Sequence, residues 1–372
     1  MKVLTMLTMF LSVALILTAG VKNPDKPLKG EWNFKLQEVW KVDSAGENLI
    51  TSLGPFMVSD DGTCYVNDLK NKTNYIFNNE GKFLNSFGNQ GEGPGEVKNA
   101  AGMFFVNGNV IIIDIDKVHY FTAGGKYLNS IHNNLFARRP ACFLNQDEFI
   151  SITQIPASSP GGKGKILKYN LKTQKETLLR EFTFYKGGIV DTNAGTFVMM
   201  VESLSPAMIL GYDDGKDSGN KGIYFGMNHT YELDAADLNG KILNTFSLDR
   251  AKTKISREDK LEHWKDRPKD RQEMIIKSTP NELNYFIRIE VHNGLVYIYV
   301  SDLNRINRQK IDIFSPQGKY LYSAVMDVGT GLTFSNPQRY NPIIKGSYLY
   351  AAVEDEEGKV MIKKYKIQLP KL

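Results

Sequence analysis

Short apolar strands alternate with tight turns along most of the chain. The clearest example runs from Gly54 to Gly88, where four strand-like stretches follow one another at 55–58, 63–67, 74–77 and 82–87. Apolar and polar residues alternate in the second and fourth stretches, and the turns include Asp-Gly and Glu-Gly pairs, which tolerate a positive φ. The pattern predicts four β-strands joined by turns, the size of one propeller blade.

A fourth-strand signature recurs along the chain and shows an internal repeat. The sequence Gly-Lys-aromatic-Leu-Asn-Ser occurs at Gly81–Ser86 and at Gly125–Ser130, and related versions begin at Gly240 and Gly318. Repeats of this kind indicate that each unit cannot bury its apolar faces alone and must stack on its neighbours. A sandwich of two sheets would not need four-strand groups that share one signature. We therefore predict an all-β propeller.

The number of blades follows from the predicted starts of the second strands, which are Thr63, Asn109, Glu148, Thr196, Leu295 and Ser347. Most of these intervals match known propeller repeats. The interval from Thr196 to Leu295 is too long for one plain blade, so either one blade carries large insertions or 207–248 forms another blade. We predict six blades, with seven as the alternative.

The two chain ends are expected to close the ring. The C-terminal segment offers strands at 348–353 and 360–367, and 33–42 near the N-terminus is a strand without a neighbour of its own. Pairing them would remove an open sheet edge. A helical insertion is expected at about 250–282, because Ser256 and Asp259 have capping-box spacing and Pro268 would break the helix.

Residues 1–20 have the pattern of a signal peptide. Lys2 precedes an uncharged apolar run, and the small residues 18–20 are suited to cleavage. No lipid-anchoring cysteine follows, since Val21 occupies that position. We expect 21–32 to be a linker and 33–372 to form one propeller domain, exported to the periplasm or secreted, monomeric and without a transmembrane span after cleavage. An uncleaved N-terminal anchor is the alternative.

Composition narrows the possible functions. The chain is 42% apolar, as in a globular protein, and its net charge of +5 is too small to indicate nucleic-acid binding. Cys64 and Cys142 lie in apolar strands without metal-site spacing, so we interpret them as buried residues, with a disulfide as the alternative. The five histidines are scattered and show no zinc-site spacing.

The connector Phe87–Glu96 contains Gly-Glu-Gly-Pro-Gly-Glu. Together with the flanking strands, it resembles the inter-blade connector of NHL-repeat-like proteins, particularly the bacterial exported six-bladed β-propeller family within the TolB-like propeller superfamily. The resemblance is good over 54–131 and weaker elsewhere, because later repeats lack the full consensus. It implies a six-bladed fold and an exported protein, but a fold of this kind does not imply one function.

The longest predicted connections emerge on one face of the ring, where binding loops commonly lie. The candidate ligand-binding residues on this face are Arg138, Arg139, Trp264, Arg305 and Arg308. The arginines would meet an anionic group, and Trp264 would face a ligand if the insertion formed a lid over the channel. The alternatives are that the arginines are solvated surface residues and that Trp264 packs on the rim.

Acidic residues end several predicted second strands: Asp68, Asp114, Asp116 and Asp302. We interpret them as turn caps. The string Glu92-Gly93-Pro94 is similar to the metal-binding Glu-Gly-Pro of gluconolactonase-type propellers, but it lies in the inter-blade connector. No motif for nucleophilic or zinc catalysis is present.

These observations favour a non-catalytic scaffold that binds an extracytoplasmic protein, peptide or glycan and needs no cofactor. The alternative is a calcium-dependent hydrolase, resembling a lactonase, or a lyase.

Overall fold

The computed structural model describes residues 20–132, 140–154, 162–184, 189–192, 195–198, 204, 206–265, 267–303, 308–328, 342–355 and 357–372. The N-terminal part contains β1 (Val21–Pro24), β2 (Glu31–Trp32), β3 (Gln37–Val42), β4 (Ser44–Ala45) and β5 (Asn48–Leu49). Strands β4 and β5 form a hairpin ahead of the first complete blade.

Three four-stranded antiparallel sheets follow. Blade 1 consists of β6 (Leu53–Val58), β7 (Cys64–Asp68), β8 (Thr73–Phe77) and β9 (Phe83–Phe87). Blade 2 consists of β10 (Gly102–Val106), β11 (Asn109–Ile113), β12 (Lys117–Thr122) and β13 (Tyr127–His132). Blade 3 consists of β14 (Pro140–Phe143), β15 (Glu148–Gln154), β16 (Gly162–Asn170) and β17 (Glu176–Phe184).

A hairpin, β18 (Ile189–Thr192) and β19 (Gly195–Val198), precedes the second half of the ring. Blade 4 consists of β20 (Met208–Asp213), β21 (Gly222–Met227), β22 (Glu232–Ala236) and β23 (Ile242–Asp249). The helices α1 (Arg257–His263) and α2 (Lys269–Ser278) follow it. Blade 5 consists of β24 (Phe286–His292), β25 (Leu295–Val300), β26 (Arg308–Phe314) and β27 (Tyr320–Asp327). Blade 6 consists of β28 (Ile343–Lys345), β29 (Tyr348–Glu354), β30 (Val360–Lys366) and, as its outer strand, β3.

The sheets form a six-bladed ring, which confirms the predicted fold. The first strands of neighbouring blades contact one another: β6 meets β10 and β28, β14 meets β10 and β20, and β20 meets β24. These first strands are therefore the inner strands. Apolar clusters fill the spaces between blades, as at the junction of blades 5 and 6, because each sheet is apolar on both faces.

The fourth blade differs from the sequence prediction in its position. The segment containing Thr196 is β19, which pairs with β18 alone in a two-stranded hairpin. The second strand of blade 4 begins at Gly222 instead. The segment 207–248 is therefore a full blade, and the hairpin is an insertion before it, so the total stays at six.

The chain ends close the ring as predicted. Strand β3 pairs antiparallel with β30, from Gln37 beside Lys366 to Val42 beside Ile362. Trp40 fixes this closure against blade 1, because its Nε1 donates to the carbonyl of Asn79 at 2.9 Å. Without this pairing, β30 would be an open sheet edge, and β3 covers it.

The expected linker 21–32 is instead part of the fold. Strand β1 adds in parallel to β23, and β2 adds in parallel to β27, so both outer edges gain a fifth strand. Asn23 is buried between these blades, where its Nδ2 donates to the carbonyls of Ser247 and Gly318 and its Oδ1 accepts from Tyr320 N. We call residues 20–32 the N-terminal strap. The strap carries few apolar residues. Main-chain pairing with the outer strands of blades 4 and 5 holds it in the fold.

The recurring Gly-Lys signature has a structural reason. Gly125 and Gly318 have φ values of +84° and +79°, a region that other residues rarely adopt. Each also lies against the outer strand of the preceding blade: a Cβ at Gly125 would lie 2.9 Å from Phe87 Cβ, and one at Gly318 would overlap Phe246 Cβ. The glycine thus allows both the turn and the close packing of consecutive blades.

Candidate functional site

The two faces of the ring differ in their connections. First-to-second and third-to-fourth strand connections emerge on one face, which we call the short-turn face, and include the two-residue turns 107–108 and 293–294. Second-to-third connections and those between blades emerge on the opposite face, the long-loop face. The latter carry 88–101, 185–207, 250–285 and 328–342. Elaborated loops on a rigid scaffold commonly carry binding sites.

Buried carboxylates hold the long-loop connections in place. Asp68, at the end of β7, is fully buried. It accepts hydrogen bonds from Thr51 N at 2.8 Å and from Lys70 N and Asn71 N at 3.0 Å. The carboxylate thus joins the connection that precedes blade 1 to the turn within that blade, in the structural role predicted for it.

Asp114 has the same role in blade 2. It accepts from Lys98 N at 2.7 Å, Asn99 N at 2.9 Å and Ile115 N at 2.7 Å. Burial by itself would raise the pKa of Asp114. The hydrogen bonds from the His119 imidazole and the three amides lower it by more, so the pKa lies below its ordinary value. The carboxylate is ionised at neutral pH and serves the backbone.

The other acidic residues singled out in the sequence do not join these two. The side chains of Asp116 and His132 are largely exposed, with Asp116 Oδ2 3.9 Å from His132 Nδ1, and Asp302 is exposed after β25. Glu92 is exposed and pairs with Lys98 at 2.7 Å. Within the described residues, no three His, Cys, Asp or Glu side chains are grouped so that they could hold a metal ion.

The helical insertion forms a small core of its own on the long-loop face. Ser256 caps α1 in a capping box with Asp259, as predicted. Trp264 is 5% exposed, and its Nε1 donates to Thr279 Oγ1 at 3.1 Å. The cluster also includes Leu204, from the connection before blade 4, and Leu303, from blade 5. The insertion therefore ties together loops from three blades.

The candidate ligand-binding residues that the structure describes lie in different environments. Trp264 lies inside the insertion, where its buried ring completes the small core, as in the packing alternative. Arg308 is exposed, with its Nε 3.5 Å from Asp327 Oδ2. Arg138, Arg139 and Arg305 lie outside the described residues.

A polar row on the inner strand of blade 5 was missed from the sequence. Glu290 accepts from Tyr299 OH at 2.7 Å, lies 3.1 Å from His292 Nε2 and pairs with Arg288. Burial lowers the pKa of His292, and the charges of Arg288 and Lys345 lower it further. The neutral imidazole donates from Nε2 to Glu290, which leaves Nδ1 as a proton acceptor. The polar residues at alternate positions 288, 290 and 292 were the available signal.

The ring mouth on the short-turn face is crossed by a loop from blade 4, residues 214–221. Lys216 in this loop pairs with Asp60 of blade 1, which lies opposite in a ring of six. Lys345 of blade 6 shares Asp60 at 3.1 Å, and Asp217 accepts from Asn293 N of blade 5 at 2.8 Å. The loop 214–221 thus spans the ring.

A shallow depression of about 440 Å³ also lies on the short-turn face, between blades 2 and 3. It is lined by Asn107, Asn145, Gln146, Asp147, Glu148 and Asn170. The Asn145 amide oxygen accepts from the amides of Asp147 and Glu148, and Asn170 caps its own turn. These side chains mainly shape their turns.

The two cysteines are free thiols in different blades, Cys64 on β7 and Cys142 on β14. Burial raises the pKa of each thiol to about 12. Both thiols are therefore protonated at neutral pH. Cys64 is buried, as expected, whereas Cys142 is only partly buried.

Comparisons with known proteins agree with this architecture. A sequence family described as a 6-bladed beta-propeller matches residues 38–186. A Bacteroides fragilis protein described as exported is similar at 13% identity and a TM-score of 0.51, covering 94% of this chain and 100% of its own. A member of the DUF4221 family from Bacteroides vulgatus is similar at 11% identity and a TM-score of 0.56, covering 90% of this chain and 99% of its own.

The sequence matches no curated protein. No helix in the described part of the chain has the length and apolar character to cross a membrane. Likeness at these identities shows the fold alone, and the family match covers blades 1 to 3 with the closing strand β3. The resemblance predicted from the repeat is confirmed: residues 38–186 match a family of six-bladed β-propellers, and the chain folds as a six-bladed ring.

Proposed function

We propose that this protein is an exported scaffold that binds a protein, peptide or glycan through the long-loop face. The observation that carries the proposal is the contrast between the two faces. Tight turns and the crossing loop 214–221 occupy one face, whereas the connections long enough to form a binding surface emerge on the other. The leader-like residues 1–20 and the similarity to a protein described as exported support a place outside the cytoplasm.

The long-loop face has the support that a binding surface requires. Asp68 and Asp114 fix the connections of blades 1 and 2 through backbone amides. The helical core around Trp264 fixes those of blades 3 to 5. Loops held at both ends by buried groups lose less conformational entropy when they bind.

Screening on glycan arrays and on a random-peptide display library tests the proposal, with binding strength then measured for each hit. We expect the double variant Arg138→Ala, Arg139→Ala to weaken binding by about tenfold, the scale of one lost charge-assisted contact. The matched control is Lys221→Ala, an exposed change in the loop on the short-turn face. Equal weakening by the control, or hits that neither variant affects, would contradict the use of this face.

A second candidate function is hydrolysis or elimination in the channel, and the His292–Glu290 pair favours it. An oriented neutral imidazole on an inner strand can act as a general base. This candidate predicts turnover of lactone or ester probes that His292→Gln abolishes while thermal stability is kept. Equal turnover by the native chain and His292→Gln would exclude a role for this residue.

A further inference from the structure

Exposed leucines recur at one level of the ring. Leu84 in β9, Leu128 in β13 and Leu243 in β23 are 54%, 47% and 53% exposed, and all three occupy the fourth position of the Gly-Lys signature. Leu178 in β17 is 50% exposed and lies near the start of its strand. Each follows the turn that leads into an outer strand, so all four lie at the short-turn end of the perimeter.

Blade 5 also has an exposed leucine at this level, but that leucine belongs to the N-terminal strap. The signature leucine of blade 5, Leu321, is 6% exposed, because the N-terminal strap covers it. The amides of Leu28 and Lys29 donate to the carbonyls of Tyr320 and Leu321 at 3.0 and 2.8 Å. The strap then presents Leu28, at 67% exposure, beside the leucine that it covers. An exposed leucine therefore occurs at this level in five consecutive blades.

An exposed lysine precedes each of these leucines by two or three residues. The pairs are Lys82 with Leu84, Lys126 with Leu128, Lys175 with Leu178, Lys241 with Leu243 and Lys26 with Leu28; we call them the Lys–Leu rim. No ion pair joins any of these lysines to another described residue. Among the neighbouring acids, Asp25 pairs with Arg250 and Asp237 accepts the amides of its own turn. Glu80 is exposed beside these lysines.

The chain also enters the fold at this level. Gly20 lies against Thr245, two residues beyond Leu243 along β23. Strand β1 begins at the next residue and runs parallel to β23. The apolar residues 3–17 precede this point in the sequence. An N-terminal segment suited to lipid is thus connected to the fold beside the Lys–Leu rim.

We propose that the Lys–Leu rim docks the ring on an anionic lipid surface. Leucines at the acyl boundary, with lysines at the level of the phosphates, are the combination by which peripheral proteins bind anionic membranes. A protein partner fits less well, because lysine is depleted in the cores of protein interfaces, and these pairs are spread around a perimeter. Docked in this way, the ring turns its long-loop face away from the membrane.

Sedimentation with vesicles tests the proposal. The chain from Gly20 onward is used, because every contact of the ring described above lies within residues 20–372; thermal unfolding first verifies that it folds. We expect binding to phosphatidylglycerol–phosphatidylcholine vesicles that weakens as salt is raised, and little binding to phosphatidylcholine alone. Lys82→Gln, Lys126→Gln and Lys241→Gln together should weaken binding by about a hundredfold, since each lysine contributes about fivefold.

The leucines are tested separately. Leu84→Ser, Leu128→Ser and Leu243→Ser together should weaken binding to anionic vesicles by about tenfold or more. The matched control, Leu261→Ser with Lys277→Gln, changes an exposed leucine and an exposed lysine of the helical insertion and should leave binding unchanged. Absence of native binding, or equal binding by rim and control variants, overturns the proposal. Capture of a protein without vesicle binding also overturns it. Each of these failures leaves the proposed role of the long-loop face standing, because the rim lies at the other end of the ring.

Discussion

Replacing Asp312 by alanine removes the acceptor at the centre of the junction between blades 4 and 5. Asp312 is fully buried in β26 and accepts from Arg250 Nη1 at 2.5 Å, Tyr231 OH at 2.6 Å and Tyr320 OH at 2.7 Å. The Arg250 side chain is 11% exposed, and its other acidic partner, Asp25, lies at the surface. The substitution therefore leaves one buried cation and two buried hydroxyls without their acceptor.

The expected loss is large because the remaining groups are largely buried, and Arg250 keeps only its surface partner Asp25. Breaking a buried ion pair by removing one partner costs about 3–5 kcal/mol, most of it from the charge left behind. Orphaned hydroxyls add to this cost, but not in full, since the three donors share one acceptor. We expect Asp312→Ala to destabilise the ring by about 3–5 kcal/mol.

Urea unfolding, followed by tryptophan fluorescence, measures this loss. The matched control is Asp327→Ala, which removes the acid lying 3.5 Å from exposed Arg308 at the end of the neighbouring strand. It should cost less than about 1 kcal/mol. The double variant Arg250→Met, Asp312→Leu should be more stable than Asp312→Ala, because it leaves no buried charge. A loss from Asp312→Ala no larger than that of the control would refute this reasoning.

Three further predictions concern the repeat, the thiols and calcium. Gly318→Ala should destabilise the ring more than Gly108→Ala in thermal unfolding, because both glycines have a φ of +79° but only a Cβ at Gly318 would overlap Phe246; equal losses would exclude the close approach as the reason for the signature. Cys64 should react with a thiol reagent at pH 8 only on unfolding, and because burial raises its thiol pKa from 9.0 to about 12, its linked stability should fall as pH rises above 9. Fast labelling of Cys64 in the folded chain would contradict this burial. Calcium and EDTA should leave the thermal midpoint unchanged, and a rise with calcium would favour the calcium-dependent alternative.

Sequence reasoning was strongest where a local rule repeats. The Gly-Lys signature, the alternating strands and the capping box at Ser256 are each set by neighbours along the chain, and the structure confirms the fold that they predict. The closing strand was also predictable, because 33–42 has the pattern of a strand and the last blade lacks an outer one. The candidate site was predicted less well. The spacing of Trp264 fits both a lid and a packed helix, and in the structure Trp264 packs in the small core.

The class of the ring, its approximate number of blades and the turn caps at Asp68 and Asp114 were predictable, because they depend on period, turn chemistry and neighbouring amides. Three features emerged only from the folded ring: 207–248 is a blade, the N-terminal strap pairs with two outer edges, and Asp312 meets Arg250 across a junction. These features join residues far apart in the chain. Their physical basis is main-chain pairing and burial, which exist only after the blades have come together.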